Sequence, residues 1–390
     1  MAVTRVAILG STGSIGRATL AVIARHPDHF QVVAVCAHTS VSDLAAQVVE
    51  HRVPVAVVAD PEGLRGIADL PVAEWRSGPA AVLETVQDSN VDVVVNAIVG
   101  AAGLEATLAA LRSGKRLALA NKESLVAGGP LVIQAAREGG GELIPIDSEH
   151  SAILQCLKGH DPGSVERIVL TASGGPFRGL ELDKLDDVGP EDALRHPTWD
   201  MGAKITVDSA TLANKALEVI EAHFLYDIAY EKIEAIVHPQ SIVHSLVEFI
   251  DGSVLAQLGF PTMELPILYA LSHPARVPDA SLRTFDPVRS SPFTLEEIDL
   301  ERFGLFALGV EAGVRGGTAP AVFNAANETA VEAFLSRDIR FLEIQDVVAH
   351  ALMAVTKRNV ETLDDVLEAD AAARRAAQEF VCSARSLAGD

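Results

Sequence analysis

Short β-rich apolar runs alternate with helical patterns through the first 147 residues. RVAILG (5–10), QVVAVC (31–36), VAVVA (55–59), VDVVVNAIV (91–99), RLALA (116–120) and ELIPID (142–147) predict strands, and helices fit between most of them. That alternation predicts an α/β domain at 1–147 with a Rossmann-like, doubly wound parallel sheet. From 148 to 272 the order changes to an α+β pattern, with strands at 166–173, 233–238, 242–249 and 253–259 and one long helix at 208–226. Two of these strands meet through Asp251-Gly252, a hairpin signal. A stretch rich in Pro, Ser and Arg (273–298) predicts a linker, and the Ala and Leu periodicity of 299–390 predicts a C-terminal helical bundle.

A length of 390 residues suits two or three domains. The apolar fraction of 49% and mean hydropathy of +0.26 are those of a well-buried chain, and no apolar run approaches the roughly 18 residues of a membrane span. The formal charge of −22 excludes the broad basic face that a nucleic-acid backbone needs, so a phosphate ligand must be held by a local cluster of donors. The N-terminus passes directly into a strand without a signal or transit pattern, which points to the cytoplasm. Three scattered cysteines, Cys36, Cys156 and Cys382, offer neither a disulfide framework nor metal-ligand spacing.

GSTGSIG (10–16) follows the first strand and opens a helix, the setting of a phosphate-cradling turn. The end of the second strand carries His38, Thr39 and Ser40, which can donate to a 2′-phosphate; it has neither the acid of a ribose 2′-hydroxyl site nor an arginine. LANKES (119–124) ends another strand, where Lys122 can donate to a substrate oxygen and Asn121 and Glu123, alternating to the other face, can meet the nicotinamide ribose. IPIDSEHSA ends its strand at Asp147, and side chains alternating along an extended backbone would send Asp147 and Glu149 to one side. The helix read over 208–226 carries a polar stripe of Thr211, Asn214, Lys215, Glu218 and Glu221 at spacings of three and four. Asp147, Glu149 and Glu218 are hard oxygen donors suited to Mg²⁺ or Mn²⁺; exposed acids are the alternative in so acidic a chain. Ser173, in a Ser-Gly-Gly-Pro turn, joins Ser209, Asn214 and Lys215 as donors for a phosphate monoester. The segment 194–203, with His196, Trp199 and Gly202, has the composition of a mobile lid. His238 and His244 stand on strand-like segments and receive no catalytic role.

In this order and spacing, GSTGSIG, LANKES, DSEHSA, TASGGPF, HPTWDMG, KITVDSATLANKALEVIEAHF, VHPQSIVHS and DGSVLAQLG closely resemble the 1-deoxy-D-xylulose 5-phosphate reductoisomerases over residues 5–272. The resemblance implies a metal- and NADPH-dependent rearrangement and reduction of 1-deoxy-D-xylulose 5-phosphate to 2-C-methyl-D-erythritol 4-phosphate, in the non-mevalonate isoprenoid route. It implies Asp147, Glu149 and Glu218 as metal ligands, with Ser148 and Lys122 at the reacting end of the substrate. Ser173, Ser209, Asn214 and Lys215 would hold the phosphate, with His196 and Trp199 closing over it. Thr12, Gly13, Ser14, Ile15, Asn121, Glu123 and Gly202 would meet the cofactor, and the protein would be a homodimer. The chain departs from the family pattern at His38-Thr39-Ser40, where a Gly-Lys-Asn-like run is frequent. It departs also at Thr262 and Glu264, where Asp and Arg are usual, and at Ala213 and Ala216, where Met and Gly are usual. A simple NADP-linked dehydrogenase and a nucleotide-sensing scaffold are the competing readings of the same sheet.

Overall fold

The structure, a computed structural model, describes residues 3–65, 69–199 and 201–388, with side chains through 383. The chain divides into two compact units, one of 1–124, 131–151 and 262–283, the other of 125–130, 152–261 and 284–390.

The first unit is built on seven parallel strands: β1 (Thr4–Leu9), β2 (Phe30–Ala37), β3 (Val55–Val58), β4 (Glu74–Ser77), β5 (Val93–Asn96), β6 (Arg116–Leu119) and β7 (Glu142–Pro145). Their order is β4-β3-β2-β1-β5-β6-β7, the doubly wound sheet that the alternating pattern predicts. The central strands read as near-continuous apolar runs because helices cover both faces, and Val6, Ala7, Ile8, Leu9, Val94, Val95 and Leu117 are fully buried. β4 escapes the sequence pattern because EWRS is a half-exposed segment with no apolar run. Strand order reverses beside β1, the place where open parallel sheets receive ligands at the carboxyl ends of their strands. GSTGSIG, His38–Ser40, Asn121–Glu123 and Asp147–Glu149 all follow such ends.

The helix Glu264–Ser272 also belongs to this unit; its Pro266–Leu271 side chains are buried. Glu264, where an arginine is usual, accepts from Arg25 Nη2 at 2.6 Å, and Arg25 Nε donates to Asp279 at 3.0 Å. The reversed charge thus has its opposite on the first helix, Ser14–Arg25.

The second unit holds β8 (Val165–Ala172), β9 (Ile233–Val237), β10 (Val243–Phe249) and β11 (Val254–Leu258) in the order β11-β10-β8-β9. β10 is antiparallel to both β8 and β11, the latter pairing being the predicted Asp-Gly hairpin, and β8 runs parallel to β9. Ile168, Leu170, Val247 and Phe249 of the sheet pack with Ile153, Val219 and Ala222 of two helices. Four helices, Gly304–Arg315, Ala319–Leu335, Glu343–Ala354 and Leu363–Ala388, make the expected C-terminal bundle, whose core includes Leu217 and Ile220. Ala216, where Gly is usual, packs against Gly309: a methyl added at Gly309 would come within 2.5 Å of the Ala216 Cβ.

Three local expectations are corrected. The helix read over 208–226 is two helices, Ala203–Thr211 and Ala213–Tyr226, broken at Leu212, whose φ of 58° and ψ of 14° are left-handed. Periodicity carries through the break because Leu212 is itself buried with Ala172 and Phe303, so the apolar pattern does not register the turn. The strand read to Asp147 ends at Pro145, and Glu149 lies in the first turn of the helix Ser148–Leu157, so period-two alternation does not govern it. Asn121, likewise, caps the helix Lys122–Gly139, and alternation does not govern Glu123 either. The segment 273–298 carries one turn of 3-10 helix at Ala280–Leu282 and a bridge between Glu296 and Val237.

Candidate active site

In the first unit, the turn after β1 is shaped by steric exclusion. Gly10 has φ of 75°, and a side chain there would come within 2.5 Å of the Ala97 carbonyl oxygen. Gly10 and Ser11 N–H groups both donate to the Cys36 carbonyl at 2.9 Å. Ser11 Oγ donates to Gln47 Oε1 at 2.7 Å, and Gln47 Nε2 returns a bond to the Ser11 carbonyl at 2.8 Å, both side chains being buried. Thr12 and Gly13 complete the turn, and Ser14 and Ile15 start a helix that no side chain caps. The first N–H groups of such a helix are oriented to receive an anion. His38, Thr39 and Ser40 lead from β2 into the helix Val41–His51.

Asn121 is buried and fully employed. Its Nδ2 donates to the Ile98 and Gly100 carbonyls at 2.6 and 2.8 Å and approaches Glu123 Oε2 at 3.3 Å, while its Oδ1 accepts the Ser124 N–H. The side chain therefore holds the loop after β5 against the helix start. Asn96, which the sequence reading passed over, works beside it by donating to the Gly103 carbonyl and Thr107. Lys122, almost wholly buried, is ion-paired with Asp147, and His150 Nδ1 lies 3.6 Å from the other Asp147 oxygen. Burial by itself would raise the Asp147 carboxyl, but the Lys122 ammonium and the His150 ring outweigh it and hold the group well below the usual carboxylate range. Glu149 N–H donates to Asp147 Oδ1 at 3.4 Å, and Ser148 Oγ donates to Glu149 Oε2 at 2.5 Å. Sequence reading missed His150; its signal was a spacing of three from Asp147 at a helix start, which puts both on one face.

In the second unit, β8 runs into Ser173-Gly174-Gly175, and Gly175, with φ of 66°, sits so close to the Ser209 carbonyl that a side chain would fall within 2.6 Å of it. His196 Nε2 lies 3.0 Å from Ser173 Oγ and 3.1 Å from Ser209 Oγ, and Gly175 N–H donates to Ser173 Oγ. The Thr198 and Trp199 N–H groups both donate to His196 Nδ1, at 3.1 and 2.9 Å. Nδ1 is therefore the acceptor and Nε2 carries the proton, so the ring presents a donor to the two hydroxyls. Burial pushes the His196 pKa down, which keeps that tautomer neutral. Gly202 caps the helix Ala203–Thr211; Asp200, within the expected lid 194–203, lies outside the described residues.

The break at Leu212 puts Asn214 and Lys215 in the first turn of the next helix, which no side chain caps. Asn214 Nδ2 donates to Glu218 Oε1 at 2.5 Å, and the Lys215 ammonium is ion-paired with Glu218 Oε2, with Lys215 and Glu218 both buried. His238 Nδ1 donates to the Thr294 carbonyl and its Nε2 accepts the Ile242 N–H.

Each unit thus sets a carboxylate against a lysine ammonium, the little-exposed Asp147 in one and the buried Glu218 in the other. Carboxylate oxygens are the hard donors that a divalent cation such as Mg²⁺ or Mn²⁺ takes.

Models of the 1-deoxy-D-xylulose 5-phosphate reductoisomerase family match residues 6–129, 143–226 (C-terminal domain) and 258–376 (a further C-terminal domain). A 1-deoxy-D-xylulose 5-phosphate reductoisomerase of Paraburkholderia xenovorans is 50% identical over 384 residues, 97% of this chain and 96% of that protein. That of Cupriavidus metallidurans is 51% identical over 383 residues, 96% of this chain and 97% of its own length. Among solved structures, the Zymomonas mobilis reductoisomerase in complex with NADPH is 44% identical with a TM-score of 0.89, covering 97% of this chain and 99% of that one. A reductoisomerase in complex with NADPH, fosmidomycin and magnesium is 38% identical with a TM-score of 0.92, covering 97% and 98%.

Proposed function

The chain belongs to the 1-deoxy-D-xylulose 5-phosphate reductoisomerase family, and we propose that Asp147, Glu149 and Glu218 hold the divalent cation with which it turns 1-deoxy-D-xylulose 5-phosphate into 2-C-methyl-D-erythritol 4-phosphate, using NADPH. It is an NADP-dependent oxidoreductase of the non-mevalonate isoprenoid route. The observations that carry the residue assignment are the ion pairs of the little-exposed Asp147 with Lys122 and of the buried Glu218 with Lys215, with the Glu149 N–H tied to Asp147.

When bound, Mg²⁺ or Mn²⁺ polarises the hydroxy-ketone and NADPH supplies the hydride that reduces the branched aldehyde phosphate left by the carbon–carbon rearrangement. Lys122 is placed beside Asp147 to donate to a substrate oxygen that gains negative charge, and Ser148 offers a hydroxyl next to it. Ser173, Ser209 and the Nε2–H of His196 supply donors for the phosphate, together with Asn214 and Lys215 at a helix start. Neutral His196 donates without adding a charge that would have to be desolvated. Trp199, whose backbone is tied to His196, covers the substrate as 194–203 closes.

The turn Thr12–Ile15 takes the cofactor pyrophosphate, with His38, Thr39 and Ser40 at the ribose phosphate and Glu123 and Gly202 toward the nicotinamide. Asn121 acts by fixing the loop after β5. Residues 1–147 then serve as the cofactor domain, 148–272 as the catalytic part, 273–298 as the linker and 299–390 as its helical support. Exposed Ile250, Val254, Leu255 and Phe260 on and around edge strand β11 support a homodimer, edge strands with apolar side chains being natural pairing surfaces. No helix among the described residues is long and apolar enough to cross a membrane, and the cytoplasm is the expected compartment.

The test follows NADPH absorbance with the purified chain, expected by light scattering at twice its 41.1 kDa. Oxidation that requires both 1-deoxy-D-xylulose 5-phosphate and Mn²⁺ and stops with a chelator is the predicted result; oxidation indifferent to the chelator would remove the metal from the mechanism.

A further inference from the structure

The segment at the end of β2 contributes His38, Thr39 and Ser40 but no lysine or arginine, so a cofactor 2′-phosphate finds no fixed positive charge in that loop. The cation stands on another element. Arg17 directly follows Gly16 on the helix Ser14–Arg25, and its Nε donates to the Thr12 carbonyl at 2.8 Å. Its Nη2 donates to Asp43 Oδ2 at 2.9 Å. Thr12 belongs to the phosphate turn, and Asp43 to the first turn of the helix that begins immediately after Ser40. The guanidinium therefore bridges the turn that receives the pyrophosphate and the start of the helix beside which an adenosine ribose would end. Two further ties fix these elements to each other: Ser11 with Gln47 of the second helix, and Gly10 and Ser11 with the Cys36 carbonyl of β2.

We propose that Arg17 binds the 2′-phosphate of the cofactor and sets the preference for NADPH over NADH, an assignment that rests on GSTGSIG being the dinucleotide turn. A guanidinium has five N–H donors in a plane, and Arg17 commits Nε and Nη2 to protein oxygens, leaving Nη1 with no partner among the described residues. The side chain is 57% exposed, so an incoming phosphate can reach that open donor edge. The uncapped N-terminus of the helix Val41–His51 adds a favourable dipole on the same side. Asp43, 53% exposed, acts in two opposing ways. It orients the guanidinium while the site is free, and its carboxylate repels a bound phosphate. The preference for NADPH is therefore set by the balance of Arg17 against Asp43, and salt should narrow it by screening both.

The experiment titrates NADPH and NADH separately against the folded full chain, without metal or substrate, by nicotinamide fluorescence. Arg17→Ala is expected to weaken NADPH by about tenfold while moving NADH by less than about twofold, the loss of one charge-assisted phosphate contact. Arg17→Lys should keep part of the preference, since charge persists without the planar fork. Asp43→Asn should tighten NADPH by a few-fold and leave NADH alone, an outcome that a purely structural ion pair would not give. Equal shifts for both nucleotides in Arg17→Ala, or none, would overturn the assignment. So would a wild-type chain that binds NADH as tightly as NADPH. A folded wild-type chain that binds neither nucleotide would instead overturn the cofactor turn itself, and the role of Arg17 with it.

Discussion

His196 shows how a single ring acquires one chemical role. Two backbone N–H groups arriving at Nδ1 leave Nε2 as the donor toward Ser173 and Ser209. Protonation would put the ring's second hydrogen on Nδ1, against both incoming donors, and partial burial disfavours the charge further. The pKa in the folded chain lies below the ordinary 6.5, so the unfolded chain binds the proton more readily. This contribution to stability is complete above about pH 6.5 and is lost as pH falls through the lowered pKa. We therefore expect the urea midpoint of the wild type to fall with acidification in that window more than that of His196→Gln; equal falls would remove His196 from the cause. Residue types alone made Lys122, Asp147, Glu149 and Glu218 readable as candidates, since carboxylates and a lysine at strand ends or on a helix stripe are unusual company for apolar runs. The occupation of Asn121 by two loop carbonyls depends on a backbone path that no spacing encodes, whereas the approach of His150 to Asp147 follows from a helix start at Ser148 that the apolar pattern does not mark.

Among the elements, the break at Leu212 matters most for the site. Without it, Asn214 and Lys215 would lie in mid-helix, their N–H groups consumed by the preceding turn; with it they stand at a helix start, where donors face outward. A left-handed Leu is uncommon and costs on the order of 1 kcal/mol, a cost offset here by burial of its side chain against Ala172 and Phe303. The sheets were legible because buried parallel strands are written as apolar runs and the hairpin as Asp-Gly, whereas β4, the helix break and the start of a helix at Ser148 carry no such signal. Close helix packing gives an element-scale prediction. Gly309→Ala should destabilise the chain by about 1–3 kcal/mol, because the added methyl meets the Ala216 Cβ and the Phe323 ring. Combining it with Ala216→Gly should recover part of that loss in urea unfolding, and strict additivity of the two would contradict the contact.

At the scale of the whole molecule, a chain of net charge −22 has to bind two phosphorylated ligands. On the assignments proposed above, it does so by confining positive and donor groups to a few places: the uncapped helix after Gly13, the Arg17 guanidinium, and the Ser173, His196 and Ser209 set with Lys215. In the proposed metal site, Asp147 is held ionised beside Lys122 and Glu218 is enclosed by Asn214 and Lys215. Order along the chain made this constellation recognisable as a family pattern, although the two carboxylates are separated by 71 positions, from Asp147 to Glu218. The most direct measurement is a Mn²⁺ titration of the NADPH-bound protein by electron paramagnetic resonance, comparing the wild type with Glu218→Gln. Loss of one anionic ligand without a change of shape should weaken Mn²⁺ by about tenfold or more while the NADPH titration stays as in the wild type; an unchanged Mn²⁺ affinity in Glu218→Gln would contradict the assignment of these carboxylates to the metal.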